Sequence, residues 1–183
     1  AGCYLKLDNK KFALHAFGYK GKIAVTNPKK KPTQSNAEFA AKVLGVKLGE
    51  EVGYQYKGTN MTNDDTKLVF CTDGLVTAWL KSDPMLREYN SVIIDEAHER
   101  NMNIDLLLLQ LKEIARKRKD FKLIIMSATI STDLFSNYFP KNEFKFGLLE
   151  LEGAKMYEVV PHFLPDNEIT YKFDNEGVVK NKD

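Results

Sequence analysis

Four short apolar runs, each breaking off into polar, turn-prone residues, restrict the possible folds of this chain more than any other feature. They are Ile23-Ala24-Val25 before Thr26-Asn27-Pro28, Leu68-Val69-Phe70-Cys71 before Thr72-Asp73-Gly74, Val92-Ile93-Ile94 before Asp95-Glu96, and Leu123-Ile124-Ile125-Met126 before Ser127-Ala128-Thr129. A β-branched run without alternation leaves no face for water, so each reads as a strand buried on both sides. Helical patterns lie between them. Ser35-Asn36-Ala37-Glu38 has the form of a capping box, predicting a helix that opens there, carries Phe39, Ala40, Val43 and Leu44 on its apolar face, and stops at Gly45. A longer helix is predicted from near Asn103, with Ile104, Leu107, Leu108, Leu111, Ile114 and Ala115 on one face and Arg116-Lys117-Arg118-Lys119 at its end. Strands alternating with helices imply an α/β fold, a mostly parallel central sheet with helices on both faces. Parallel strands point one way, which gathers the four polar clusters along one sheet edge, where open α/β folds bind ligands.

Charge adds little. With 27 basic and 25 acidic residues the net charge of +2 does not by itself argue for nucleic acid, a membrane surface or an acidic substrate. Cys3 and Cys71 stand far apart with no metal-ligand spacing, which indicates neither a disulfide framework nor a zinc site and fits an intracellular setting, nuclear, cytoplasmic or viral in source. The apolar run Leu106 to Leu109 is far too short to span a membrane. Asn60-Met61-Thr62 is a chance match to the glycosylation triplet, and His98-Glu99 does not complete a zinc-peptidase motif because Met102 replaces the second ligand. His15 and His162 read as packing or surface residues, and Trp79 as packing on the helix that follows Gly74. The basic residues Arg116 to Lys119 read as solvated charges complementing a helix dipole.

Asp95 and Glu96, adjacent carboxylates just past a buried strand, suit nucleotide hydrolysis, in which one carboxylate holds Mg²⁺ and its neighbour orients the attacking water. Alone, the pair reads equally well as a solvated acidic turn. The surrounding run Tyr89 to Arg100 resembles motif II of the DEAH-box helicases, and in order around it stand Thr26-Asn27-Pro28-Lys29-Lys30, similar to that family's motif Ia, Thr72-Asp73-Gly74, similar to motif Ib, and Ser127-Ala128-Thr129, matching motif III. The resemblance covers roughly residues 21–139. It implies a three-layer RecA-like lobe of the P-loop NTPase type at 1–163, with 164–183 leading toward a second RecA-like lobe. It further implies ATP and Mg²⁺ as cofactors, with Asp95 binding Mg²⁺ through water, Glu96 as general base, His98 connecting nucleotide to strand, and Ser127 and Thr129 coupling hydrolysis to lobe movement. Thr26, Lys29, Lys30, Thr72, Asp73 and Gly74 would hold single-stranded RNA, or alternatively DNA, through its phosphates, as hydroxyls, lysines and helix-start N–H groups do. Lys29-Lys30-Lys31 stands where the family commonly has two arginines, which keeps charge and loses bidentate geometry.

The family's phosphate loop, GxxxxGK[ST], is not found. Gly18-Tyr19-Lys20-Gly21-Lys22-Ile23 is a decoy, with isoleucine in place of the hydroxyl and a strand following rather than preceding. Lys11 to Phe17 resembles the end of the loop's helix, so the loop's residues are expected to be missing between about Leu7 and Lys11. The leading reading is the first motor lobe of an ATP-dependent RNA helicase, weakly active or inactive alone. A hydrolysis-deficient RecA-like module that binds nucleic acid or serves as a scaffold, and a translocase without strand separation, remain alternatives.

Overall fold

In a computed structural model, residues 21–128 and 137–149 are described, together with the backbone of 172–173 and 179–180. The chain divides into two compact units, Ala1–Gly147 and Leu148–Asp183. In the second, the described elements are two short antiparallel strands, Lys172–Phe173 and Val179–Lys180.

The first unit is built on a six-stranded sheet. In chain order its elements are β1 (Lys22–Asn27), α1 (Lys30–Leu44), β2 (Val52–Tyr56), β3 (Thr59–Met61), β4 (Leu68–Thr72), α2 (Asp73–Ser82), β5 (Tyr89–Ile94), a 3-10 turn (Ala97–Glu99), α3 (Met102–Lys117) and β6 (Lys122–Ile125). The spatial order is β3-β2-β4-β1-β5-β6, parallel throughout except for the β2–β3 hairpin. All four apolar runs are therefore strands, and they occupy the sheet's centre and one side.

Alternation along the strands assigns their side chains to two cores. Ala24, Val69, Cys71, Val92 and Ile94 face α2 and α3, where Val76, Leu80, Ile104, Leu107, Leu108, Leu111 and Ile114 are buried. Val25, Phe70, Val52 and Tyr54 face the other way, against Ala37 and Ala41 of α1. Helices thus cover both faces, giving the expected three layers. Burying one Leu or Ile side chain is worth roughly 1.5–3 kcal/mol, so the α3 stripe is a large share of what holds that face.

Two helix expectations need correction. Helix α1 begins at Lys30, five residues before Ser35, because Pro32 falls in the first turn, where its missing N–H costs nothing. Ser35 is mid-helix, its hydroxyl donating to the Lys31 carbonyl, and there is no capping box. The buried face is Thr33, Ala37 and Ala41, with Phe39 67% exposed. Small residues let α1 approach the sheet closely. Its end at Gly45, left-handed at φ 67°, is as expected.

The basic run after α3 is also not uniformly solvated. The Arg118 side chain is only 14% exposed. Its Nη1 donates to the carbonyls of Met85, Leu86 and Tyr89 at 2.9, 2.8 and 2.9 Å, while Nε and Nη2 meet Asp120. Arg118 therefore ties the turn before β5, including left-handed Leu86 at φ 44°, to the end of α3. Trp79 lies on α2 itself and stacks on Tyr89 with ring centroids 4.9 Å apart.

Candidate active site

The four predicted clusters do line one sheet edge. Strand order sets them side by side: Thr72-Asp73 after β4, Thr26-Asn27 ending β1, Asp95-Glu96 after β5, and Met126-Ser127 after β6.

The turn after β5 is held from both sides. Asp95 N–H donates to the Thr26 carbonyl at 3.1 Å, continuing the ladder to β1, and Ala97 N–H donates to the Met126 carbonyl at 3.0 Å. Between these ties Glu96 adopts φ 55°, ψ 37°, a left-handed conformation that costs a side-chain-bearing residue roughly 1–2 kcal/mol. Such strain persists only where surroundings over-determine it. The conformation turns the Glu96 carboxylate back onto His98, with Oε2 3.2 Å from Nε2. On the far side of the ring, Nδ1 lies 3.3 Å from the Ser127 hydroxyl.

A carboxylate only accepts, so Nε2 carries the hydrogen toward Glu96. Ser127, His98 and Glu96 therefore form a hydrogen-bonded chain from β6 to the turn. Asp95 is half-buried and held at both oxygens, Oδ1 accepting from Glu96 N–H at 3.0 Å and Oδ2 from the Asn27 amide at 2.9 Å. Glu99 pairs with Lys29 at 3.1 Å, which ties the turn to the start of α1. Asn101 then caps α3, accepting from Ile104 N–H at 2.9 Å.

The predicted strand-binding residues separate by depth. Lys29, Lys30 and Gly74 are exposed and Thr72 is half-buried, so these four face outward. Thr26 and Asp73 do not; they are 0% and 2% exposed, and Thr26 Oγ1 and Asp73 Oδ1 are buried without a well-formed hydrogen bond. Burial pushes the Asp73 carboxyl up, the nearby Thr26 hydroxyl and Asn101 amide oppose that, and Glu99 and Asp95 add to it. Their side chains can shape the edge only from beneath. Thr129, His15, His162 and the segment expected to lack the phosphate loop lie outside the described residues.

Asn27 and Asn101 were not singled out as site residues from the sequence. Asn27 stands inside the Thr26-Asn27-Pro28 motif, and a polar residue ending a buried strand was the available signal.

No family model matches the chain. Curated proteins do. Over 172 residues it is 44% identical to a protein of Acanthamoeba polyphaga mimivirus, covering 92% of this chain and 24% of the relative. Over 123 residues it is 51% identical to the ATP-dependent RNA helicase HrpA of Borreliella burgdorferi, covering 67% of this chain and 15% of that protein. Over 144 residues it is 42% identical to the DExH-box ATP-dependent RNA helicase DExH3 of Arabidopsis thaliana, covering 79% of this chain and 12% of that one. The chain belongs to the DExH/DEAH-box helicase family. It spans between 12% and 24% of the length of these relatives. The tetrad Asp95-Glu96-Ala97-His98 that gives the DEAH box its name is here the strained turn itself, and the Ser127 hydroxyl of the following motif is its partner across the sheet edge.

Among the described residues no group of three or more His, Cys, Asp and Glu could hold a metal ion alone. Mg²⁺ keeps several waters and is bound by one or two carboxylates together with substrate phosphates. Asp95, a hard oxygen donor held at both oxygens by N–H groups, is a suitable single ligand.

Proposed function

We propose that this chain is the first RecA-like lobe of an ATP-dependent RNA helicase, occupying 1–163 with 164–183 leading toward a second lobe. The observation that carries the reading is the hydrogen-bonded chain Ser127–His98–Glu96, set beside an Asp95 carboxylate oriented by N–H donors. Mg²⁺ held through water by Asp95 would neutralise charge on the ATP phosphates. Glu96 accepts a proton from, or orients, the attacking water. His98 keeps Glu96 in place through Nε2–H and reports its position to β6 through Nδ1. Ser127, with Thr129 two residues on, carries that change toward the second lobe.

Lys29, Lys30, Thr72 and Gly74 would bind the phosphates of single-stranded RNA from the exposed rim, blind to sequence. Lys29 has a second role, because its pairing with Glu99 links the strand-binding rim to the DEAH turn over 3.1 Å. Occupation of Lys29 by a phosphate would release Glu99, giving RNA a direct handle on the hydrolytic turn. No helix of the described residues is long and apolar enough to cross a membrane.

ATP turnover of the full-length parent protein, with and without single-stranded RNA, tests this reading. Turnover stimulated by RNA supports the motor. Bound RNA without turnover supports the hydrolysis-deficient binding module instead.

A further inference from the structure

We propose that Asn27 is a positioning residue that sets the plane of the Asp95 carboxylate for a hydrated divalent cation. The inference rests on the reading of Asp95 as the carboxylate that holds the cation through water. It adds a residue that neither the adjacent-carboxylate pattern nor the strand-binding motif requires.

The geometry is specific. Asn27 is 1% exposed, and its Nδ2 donates to Asp95 Oδ2 at 2.9 Å across 68 residues of sequence. The other oxygen, Oδ1, accepts from the adjacent Glu96 N–H at 3.0 Å. The Glu96 tie is local and moves with the turn. The Asn27 tie anchors the carboxylate to β1, which lies between β4 and β5 in the sheet. A carboxylate held at one oxygen can swing about that contact; one held at both, from two directions, has its plane fixed.

Hydrogen-bond chemistry also fixes which way the Asn27 amide faces. Ionised Asp95 only accepts, so the NH₂ group must point to it and the carbonyl away. That carbonyl, Oδ1, lies 3.4 Å from Nδ2 of Asn36 on α1, which therefore donates. The result is a one-way chain from Asn36 through Asn27 to Asp95. Its first member lies on the helix whose start carries Lys30 and Lys31.

A buried amide needs partners wherever it sits, so satisfaction of Asn27 alone would be a purely structural account. The two accounts differ in what they predict for the cation. Mg²⁺ demands near-ideal octahedral geometry, whereas Ca²⁺ tolerates flexible coordination. Loss of an aligning hydrogen bond to a metal ligand typically costs 10–100-fold in metal affinity. Misalignment of Asp95 should therefore weaken Mg²⁺ more than Ca²⁺, and a merely structural defect should weaken both alike.

The test uses the full-length parent protein with a non-hydrolysable ATP analogue and Mn²⁺ as the electron paramagnetic resonance probe, from which Mg²⁺ and Ca²⁺ are each titrated in competition. Asn27→Leu, close in volume and without the donor, is expected to weaken Mg²⁺ about tenfold and Ca²⁺ by less than about threefold. Asn36→Ala, which frees only the far end of the chain, is expected to move Mg²⁺ in the same direction by about threefold. It decides the matter if the leucine variant does not fold. Asn27→Gln restores a donor and should recover part of the loss. Mg²⁺ affinity unchanged in folded Asn27→Leu and Asn36→Ala, or equal losses for Mg²⁺ and Ca²⁺, would overturn the proposal. A wild-type protein that binds no Mn²⁺ with the analogue overturns instead the underlying reading of Asp95 as the carboxylate that holds the cation.

Discussion

Replacing Arg118 by alanine removes a guanidinium that ties three parts of the first unit together. Its Nη1 donates to the carbonyls of Met85, Leu86 and Tyr89, its Nε and Nη2 meet Asp120, and its plane lies 5.5 Å from the Phe121 ring centroid. A hydrogen bond to a charged donor is worth roughly 1.5–3 kcal/mol, but the three do not add in full. The Leu86 carbonyl keeps a second donor, Tyr89 N–H at 3.0 Å, and the Asp120 pair is on the exposed side, where ion pairs contribute little. About 3 kcal/mol is the resulting expectation, centred on the two carbonyls left without their charged donor. For a domain of this size that lowers Tm by roughly 6–12 °C. Thermal unfolding followed by circular dichroism measures it, with exposed Lys119→Ala as the control for charge alone. Arg118→Lys should fall between, since a single ammonium cannot reach three carbonyls in a fixed fork. An Arg118→Ala melt within about 2 °C of the lysine control would refute the assigned role.

Two further outcomes follow from buried groups. Burial raises the Asp73 carboxyl above its ordinary value of 3.8, so the folded state holds that proton over a window opening near pH 4. There the folded state binds more protons than the unfolded one, and stability falls as pH rises. Asp73→Asn should therefore gain stability relative to wild type at pH 7 compared with pH 4 in urea titrations, and an equal difference at both pH values would contradict the raised value. At Gly53 an added Cβ would lie 2.2 Å from the Met61 carbonyl oxygen, a backbone atom that can yield only if the β2–β3 hairpin shifts. Gly53→Ala should cost roughly 1–3 kcal/mol in denaturant unfolding, and an unchanged midpoint would show that the hairpin yields freely.

The central strands and α3 were legible because burial on two faces and a 3.6-residue stripe leave strong one-dimensional patterns. Val92, Ile93 and Ile94 could hardly be anything but an interior strand. The β2–β3 hairpin was passed over because Val52-Gly53-Tyr54-Gln55-Tyr56 mixes small, polar and aromatic residues. Its signal was the short Lys57-Gly58 connection, with Gly58 at φ 89°. The start of α1 was misplaced because Ser35 and Glu38 imitate a capping box while Pro32, which signals a first turn, was not weighed. Arg118 was read as solvated because sequence shows charge and not the carbonyls of a turn some thirty residues earlier, which only the fold brings to it. In the site, the DEAH tetrad was legible as a word. Its working geometry was not, since the Glu96 backbone strain, the tie from Asn27 and the burial of Asp73 all depend on neighbours distant in sequence.

The most direct measurement of the central claim is ATP turnover by the full-length parent protein in the presence of single-stranded RNA, compared with its Glu96→Gln variant. Removing a general base or water-orienting group typically costs 10²–10⁴-fold in rate. The account predicts a loss of that order with ATP and RNA still bound, because glutamine can still accept the His98 hydrogen bond and leaves the turn intact. Turnover retained to within a few-fold in the variant would contradict the assignment of Glu96 as the residue that handles the attacking water.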